Sequence, residues 1–314
     1  YGNGSGRILP TEGDNMAGRL IMEEQPKLRS PYLLIGQKGW LNAGEVSTGC
    51  IDYLLRKLDA RKFAHIESQG FYIYQMPSST AELTLRPHTR IKEGLVKRLD
   101  SPQNDFFFWK SDTDNDLILF QGVEPNLDWP LYAQAILDTA RHHQALRIYF
   151  LGGVFDQVPH TRKTAIQATV SNSRLKDELK AFARFTDYEG PCSFTTMLLT
   201  LAREQSIEFA SLHARTPLYI HDLNSMACYD LLSNFFAMTG FRIDLNDLKQ
   251  AGEEQMKLID SAFGKNPKAL AQLRNLEKIF DAASGEKAIR NPDESEDALL
   301  EEMLQLKREG GKIH

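Results

Sequence analysis

The stretch PYLLIGQKGWLNAGEVSTGCIDYLLRKL, residues 31–58, sets the pattern on which the predicted fold rests. Residues 32–36 form a short apolar run typical of a buried strand, and residues 39–44 form a glycine-rich loop. The apolar residues that follow recur at the spacing of one helical face: Val46, Cys50, Tyr53, Leu54 and Leu58. This stretch therefore predicts a strand–loop–helix unit.

Strand and helix patterns continue to alternate as far as residue 248. Further strands are predicted at 71–76, 106–109, 117–120, 147–151, 166–170 and 207–212. Further helices are predicted at 130–143, 175–182, 191–201, with Pro191 as first residue, and 224–239, ended by Gly240. Strands separated by helices favour a mixed, largely parallel sheet covered by helices on both faces. We therefore predict an α/β fold.

The two ends of the chain differ in composition from this α/β core at residues 31–248. Residues 1–30 are rich in Gly, Asn and Glu, which predicts a partly disordered N-terminal arm. Residues 249–314 predict a C-terminal helical appendage that packs on the core or on another subunit, or serves as a simple lid. Its two apolar stripes flank a linker at 283–294: Leu270, Leu273, Leu276 and Phe280, then Leu299, Met303 and Leu306.

Composition narrows the class of protein. Hydrophobic residues make up 42% and charged residues 25%, a balance that suits a globular core. The net charge of −5 and the absence of a Lys/Arg stripe argue against nucleic-acid binding. No apolar run approaches the roughly 20 residues that span a bilayer, so no membrane association is expected. The three scattered cysteines suit a reducing compartment, and we expect a cytoplasmic protein without a bound metal.

Several candidate functional residues lie in loops that follow predicted strands, where open α/β sheets bind ligands. Glu45 presents a carboxylate to a ligand or forms a capping box with Asn42. Glu124 and Asp128 are close enough in sequence to share acid–base duties or hold a divalent ion. As an alternative, Asp128 stabilises the positive end of the following helix.

A second set of candidates suits an anion. His160 and Arg162 place an imidazole beside a guanidinium, a pair that binds phosphate or carboxylate. In the alternative, Arg162 pairs with a carboxylate of the core such as Glu189 or Glu124. Glu189 itself precedes a predicted helix N-terminus, whose free N–H groups attract anions. Cys192 in that turn is either a reactive thiol or, more simply, a buried inert one. No HExxH or GxSxG motif indicates a metal enzyme or a serine hydrolase.

Four local motifs together resemble a known family. They are GWLNAG at 39–44, GVEPNLDW at 122–129, LGG at 151–153 with VPHTR at 158–162, and YEGP at 188–191. In this order they resemble the proteasome assembly chaperone 2 family, especially its bacterial branch, over residues 31–248. The VPHTR and YEGP motifs are the most specific of the four.

The resemblance implies a fold similar to that of nucleoside phosphorylases and a tendency to self-associate. Eukaryotic and archaeal relatives act as chaperones of proteasome assembly. Some relatives carry an ATP-grasp label, but no glycine-rich phosphate loop with a partnering lysine is present, and no cofactor is expected. The resemblance thus implies a homo-oligomer, of which a trimer is one candidate, with an unidentified protein partner.

Two functions therefore remain open. The first is a non-catalytic assembly or interaction factor, for which Trp40, Trp129 and Phe155 supply aromatic anchors unless they pack in the core. The alternative is a small-molecule binder or enzyme of nucleoside phosphorylase-like type, acting on an anionic or nucleoside-like ligand. The candidate ligand or interface residues, predicted to meet in one crevice, are Gly39, Trp40, Glu45, Glu124, Asn126, Trp129, His160, Arg162 and Glu189.

Overall fold

Ten strands form two sheets in the computed structural model, which describes residues 19–74 and 86–285. The strands are β1 (Leu20–Met22), β2 (Tyr32–Lys38), β3 (Arg61–Ile66), β4 (His88–Lys92), β5 (Leu95–Asp100), β6 (Asp105–Trp109), β7 (Leu117–Val123), β8 (Arg147–Asp156), β9 (Ile166–Val170) and β10 (Phe209–Pro217). Eight of them form one sheet in the order β1-β3-β6-β7-β2-β8-β10-β9, and β4 and β5 form the second sheet.

Seven α-helices and one short 3-10 helix connect these strands or follow them in the described residues. The 3-10 helix is Ala43–Glu45, and the α-helices are α1 (Val46–Lys57), α2 (Trp129–His142), α3 (Ser173–Leu179), α4 (Phe194–Glu204), α5 (Ser225–Thr239), α6 (Asn246–Gly264) and α7 (Pro267–Gly285). No helix in this part of the chain combines the length and apolarity needed to cross a membrane.

Parallel pairing is confined to the centre of the large sheet. The neighbours β7, β2, β8 and β10 run parallel to one another, whereas the four outer pairs are antiparallel. The α/β class and the mixed sheet are therefore confirmed. The expectation of a largely parallel sheet is wrong, because three of the seven strand pairs in this sheet are parallel and four are antiparallel. The four parallel strands end at one side of the sheet, at Lys38, Val123, Asp156 and Pro217. We call this side the carboxyl edge.

Apolar side chains are buried on both faces of the central strands, because successive strand residues point to opposite sides. Leu34 of β2 belongs to a cluster that includes residues of α1 and α5, whereas its neighbour Leu33 belongs to a cluster that includes residues of α2 and α4. Helix α1 lies so close to β2 that a Cβ on Gly36 would come within 2.3 Å of the Ser47 carbonyl oxygen. Only glycine permits this approach.

Two local predictions are wrong. Residues 71–74 of the strand predicted at 71–76 form a turn and irregular chain, in which Phe71 is buried against Tyr132, while residues 75 and 76 lie outside the described residues. Helix α4 begins at Phe194 rather than Pro191, because the Ser193 side chain accepts a hydrogen bond from the Thr196 N–H and caps the helix there.

Of the two C-terminal helices, α6 packs on α5 and α7 packs on α6. Gly252 of α6 lies against Met226, where a Cβ would come within 2.9 Å of the backbone. In α7 the predicted apolar stripe has Leu273 buried. The helix runs to Gly285, past the predicted start of the linker at 283. The second predicted stripe and the rest of that linker lie outside the described residues, as does most of the predicted arm at 1–30.

Candidate functional site

The Glu124 carboxylate joins three loops at the carboxyl edge. Its Oε2 accepts a hydrogen bond from the Trp40 N–H at 2.6 Å, and its Oε1 accepts one from the Phe194 N–H at 3.0 Å. The loop that follows β2 and the loop that follows β7 are thereby tied to the first turn of α4. A carboxylate at a helix N-terminus is also stabilised by the helix dipole. The helix N-terminus predicted to attract an external anion thus binds a carboxylate of the chain itself.

Other predicted site residues hold these loops in place. A Cβ on Gly39 would come within 2.3 Å of Glu124 Oε2, so the close contact requires glycine. Asn126 Oδ1 accepts a hydrogen bond from the Ile73 N–H at 3.1 Å. Trp129 donates from Nε1 to the Pro125 carbonyl oxygen at 2.7 Å, and its ring packs edge-to-face on Phe194. In this structure the Trp129 ring is partly buried by packing.

Large apolar side chains remain exposed on the same three loops. Trp40 is 61% exposed, Leu127 44% and Tyr188 75%. We call these three residues the rim. The loops that carry the rim, residues 39–45, 124–128 and 186–193, contain five carboxylates and no lysine or arginine. Four of those carboxylates are exposed: Glu45, Asp128, Asp187 and Glu189. The rim is therefore an apolar surface in an acidic setting.

The predicted capping box forms only in part. Asn42 Oδ1 accepts a hydrogen bond from the Thr48 N–H at 3.0 Å, which satisfies a free donor in the first turn of α1. Glu45 makes no cap hydrogen bond, because its backbone is left-handed, with φ of 48°, and its side chain is exposed. Glu45 and Glu189 therefore both present carboxylates to solvent.

His160 and Arg162 bind the C-terminal helices. His160 is buried, with Nδ1 2.7 Å from the Tyr219 hydroxyl and Nε2 3.0 Å from the Asp260 carboxylate of α6. Arg162 donates from Nε and Nη2 to the two oxygens of Asp281 in α7, each at 2.8 Å, and from Nη1 to Glu277 at 3.2 Å. The suggested partners Glu189 and Glu124 were wrong, because the loop after β8 faces α6 and α7.

The electrostatics agree with this pairing. The hydrogen bond from Arg162 lowers the pKa of Asp281, and the hydrogen bond to Asp281 raises the pKa of Arg162. A small pocket beside the pair is lined by Val158, Lys163, Thr164, Arg215, Met226 and Phe280, among others. One cation of the lining, Arg215, forms an ion pair with Asp156. The guanidinium groups that would bind an external anion are thus already bound to carboxylates of the chain.

Six of the nine predicted residues therefore fall into two separate sets of contacts. Hydrogen bonds and close packing link Gly39, Trp40, Glu124 and Trp129 above β2 and β7. His160 and Arg162, above β8, contact α6 and α7 instead. The partners Tyr219, Asp260, Glu277 and Asp281 were not predicted, because a sequence gives no signal for a polar contact between residues 59 to 119 positions apart.

A serine–histidine pair on β10 was also unforeseen. Ser211 Oγ lies 2.7 Å from His213 Nε2. Although part of His213 reaches the surface, desolvation of the ring lowers the pKa of His213 to about 4, so the imidazole is neutral near pH 7 and able to accept a proton. Ser211 is only 2% exposed, which keeps a substrate from its hydroxyl group.

Within residues 19–74 and 86–285, no three His, Cys, Asp or Glu side chains are grouped as metal ligands would be. Cys192 was expected to be more simply a buried thiol, but it is exposed, because it lies in the loop before α4 rather than inside the helix.

A protein-family model matches this chain, and several solved structures are similar to it. The model of the PAC2 family matches residues 37–262. A Mycobacterium tuberculosis protein of unknown function is 21% identical, with a TM-score of 0.75 over 88% of this chain and 92% of that one. A proteasome-assembly chaperone homologue from the same organism is 22% identical, with a TM-score of 0.66 over 73% and 94%. No curated protein matches the sequence.

An archaeal structure extends the comparison. PbaB of Pyrococcus furiosus, described as an archaeal proteasome activator, is 19% identical, with a TM-score of 0.59 over 77% of this chain and 97% of that one. At these identities the likeness to solved structures establishes a shared fold. The fold is thus common to bacterial and archaeal proteins.

Removal of the Glu124 carboxylate should loosen the carboxyl edge. We expect Glu124→Ala to lower the free energy of unfolding by about 1–3 kcal/mol, because two backbone donors lose a charged acceptor. Glu124→Gln should recover part of this loss. The control Glu189→Ala, at an exposed loop carboxylate, should change the value by less than about 0.5 kcal/mol. Urea denaturation followed by tryptophan fluorescence measures the free energy of unfolding of all three variants. Equal stability of Glu124→Ala and the unaltered chain would contradict the stabilising role of the Glu124 hydrogen bonds.

Loss of the Arg162 guanidinium should release α7. In Arg162→Met we expect faster amide hydrogen exchange across residues 267–285 and little change in β2 or β8, because the bidentate contact with Asp281 is lost. Arg274→Met removes an exposed cation from the same helix and serves as the control. Unchanged exchange in α7 of Arg162→Met would show that the ion pair does not hold the helix.

Proposed function

This chain belongs to the PAC2 family, and from that premise we propose that it is a non-catalytic assembly or interaction factor that associates with copies of itself through the rim. The residues over 249–314 serve in this proposal as a helical appendage of the core at 31–248. A fold similar to that of nucleoside phosphorylases is part of the same proposal, and that likeness carries no activity with it.

The observation that carries the proposal is the internal pairing of the candidate chemical groups. Glu124 accepts hydrogen bonds from two backbone N–H groups, and Arg162 and His160 contact carboxylates of α6 and α7. An enzyme for an anionic or nucleoside-like ligand needs such groups directed at a common reacting centre. In this chain they fix loops and helices in place instead.

The exposure of the rim is the second support. Trp40 and Tyr188 lie on loops fixed from beneath, so their rings are held in position at the surface rather than buried. Rigid aromatic side chains supply much of the binding energy at protein interfaces. Phe155, at the end of β8, is also 42% exposed and lies beside the ring of His221.

The named relatives suggest the kind of partner. One structure with this fold is a proteasome-assembly chaperone homologue and another is an archaeal proteasome activator. Both descriptions name the proteasome, which is a protein assembly. We therefore extend the proposal to a protein partner in addition to self-association, with a trimer as one candidate for the oligomer.

Rim variants test this function in the full chain. We expect the unaltered chain to sediment as an oligomer, and the double variant Trp40→Ser/Tyr188→Ser to raise the dissociation constant about tenfold or more, the factor that about 1.4 kcal/mol represents. Both residues are exposed, so the fold should survive, as circular dichroism can verify. Ile279→Ser, at an exposed apolar residue of α7, is the control and should associate normally.

Two results would contradict the proposal. One is an unaltered chain that stays monomeric at every concentration, or a rim variant that associates as the unaltered chain does. The other is a rise in melting temperature with nucleotides, nucleosides or inorganic phosphate. A ligand at 100 times its dissociation constant adds about 2.7 kcal/mol to stability, which a thermal shift detects readily.

A further inference from the structure

Helix α7 lies beyond the residues that match the PAC2 family. That match ends at residue 262, whereas α7 spans Pro267–Gly285. Two residues, Lys265 and Asn266, join it to α6, and Pro267 has no N–H with which to continue the hydrogen bonding of α6. The Asn266 side chain accepts hydrogen bonds from the N–H groups two and three residues further on, at 3.1 and 3.2 Å, and so caps α7. Helix α7 is therefore a separate unit on a short hinge.

The surface that α7 covers lies within the matched residues. Thr161 and Arg162 donate hydrogen bonds to the Glu277 carboxylate, and Arg162 also binds both oxygens of Asp281. The ring of Phe280, which lies between these two carboxylates in sequence, lines the small pocket. We call the covered surface the seat, and it consists of Thr161, Arg162 and the pocket residues Met226 and Met256. The seat thus binds a helix with two carboxylates one turn apart and an aromatic ring beside them.

Polar contacts hold α7 on the seat more than burial does. Among residues 267–282, Ala269 and Leu273 alone are buried. The ion pair is open to solvent, since the side chain of Arg162 is 35% exposed and that of Asp281 is 52% exposed. Ion pairs with this exposure contribute little to stability and are screened by salt. An element held in this way opens at a lower free-energy cost than the core, so α7 can leave the seat while the sheet stays folded.

The seat lies next to the rim on the carboxyl edge. The loop that carries Arg162 follows β8, and the loop that carries Trp40 is joined to β8 by a hydrogen bond from the Gly153 N–H to the Leu41 carbonyl oxygen at 2.9 Å. A second copy bound at the rim is thereby brought close to the seat. Its α7 then has a high effective concentration at that surface.

These observations identify the α7 of a second copy as a partner for the seat. We propose that the seat binds this helix in place of the chain's own α7, so that associated copies swap the helix. The swap keeps every contact of the seat, because the arriving helix is identical to the one that leaves. Each copy offers one seat and one α7, so the arrangement closes in a pair or in a ring of three. This inference rests on the self-association in the proposed function and adds a second contact to the rim.

Complementary charge variants of the full chain test this swap. Arg162→Glu gives the seat a carboxylate that repels α7, and Glu277→Lys/Asp281→Lys gives α7 two cations that its own seat repels. Each variant alone should show fast amide hydrogen exchange across residues 267–285. In an equimolar mixture each seat meets the matching α7 of the other variant. We expect mixing to slow amide exchange in these residues about tenfold or more, as hydrogen–deuterium exchange with mass spectrometry measures.

Two controls separate the swap from misfolding. Doubling the concentration of either variant alone should leave its amide exchange fast, and all three substitutions in one chain should restore slow exchange without a partner. Fast exchange that persists on mixing, while the triple variant is protected, would overturn the swap. If the rim variant Trp40→Ser/Tyr188→Ser then still weakens association, the proposed function stands. An unaltered chain that stays monomeric at every concentration would overturn both.

Discussion

The parallel alignment of β7, β2, β8 and β10 is the constraint on which the rest of the structure depends. Because parallel strands end on the same side, four loops that are far apart in sequence are brought to one edge. The close approach of α1 fixes the register of β2, since a shift of one residue would place a side chain where only Gly36 fits against the Ser47 carbonyl oxygen. The carboxyl edge is thus a consequence of the core.

Hydrogen bonds and ion pairs then determine which side chains of the carboxyl edge are left exposed to solvent. A carboxylate or guanidinium near a partly buried edge is costly unless it is paired, and here the chain supplies the partners itself. Glu124 is bound by backbone donors, and Arg162 by Asp281. What remains at the surface is aromatic and acidic. This division between groups that hold the edge together and groups that face solvent favours recognition of a protein over turnover of a ligand.

Much of the architecture was predictable from sequence, because a long run of apolar residues at helical spacing fits a helix and does not fit a strand. The periodicity gave α1, α2 and α5 to within one or two residues, with Gly240 ending α5 at a φ of 81°. The hairpin at 88–100 was missed, since its apolar residues face solvent and so break the expected pattern. The contacts of His160 and Arg162 with α6 and α7 were missed as well, because they depend on how remote helices pack rather than on any local motif.

The central claim is that self-association covers the rim at the carboxyl edge. Hydrogen–deuterium exchange of the full chain, compared between dilute and concentrated samples, tests it most directly. We expect slower exchange on association in residues 39–42, 125–128 and 186–190, with little change in α6 or α3. Concentration-dependent protection confined to other segments, or none at all, would contradict the account.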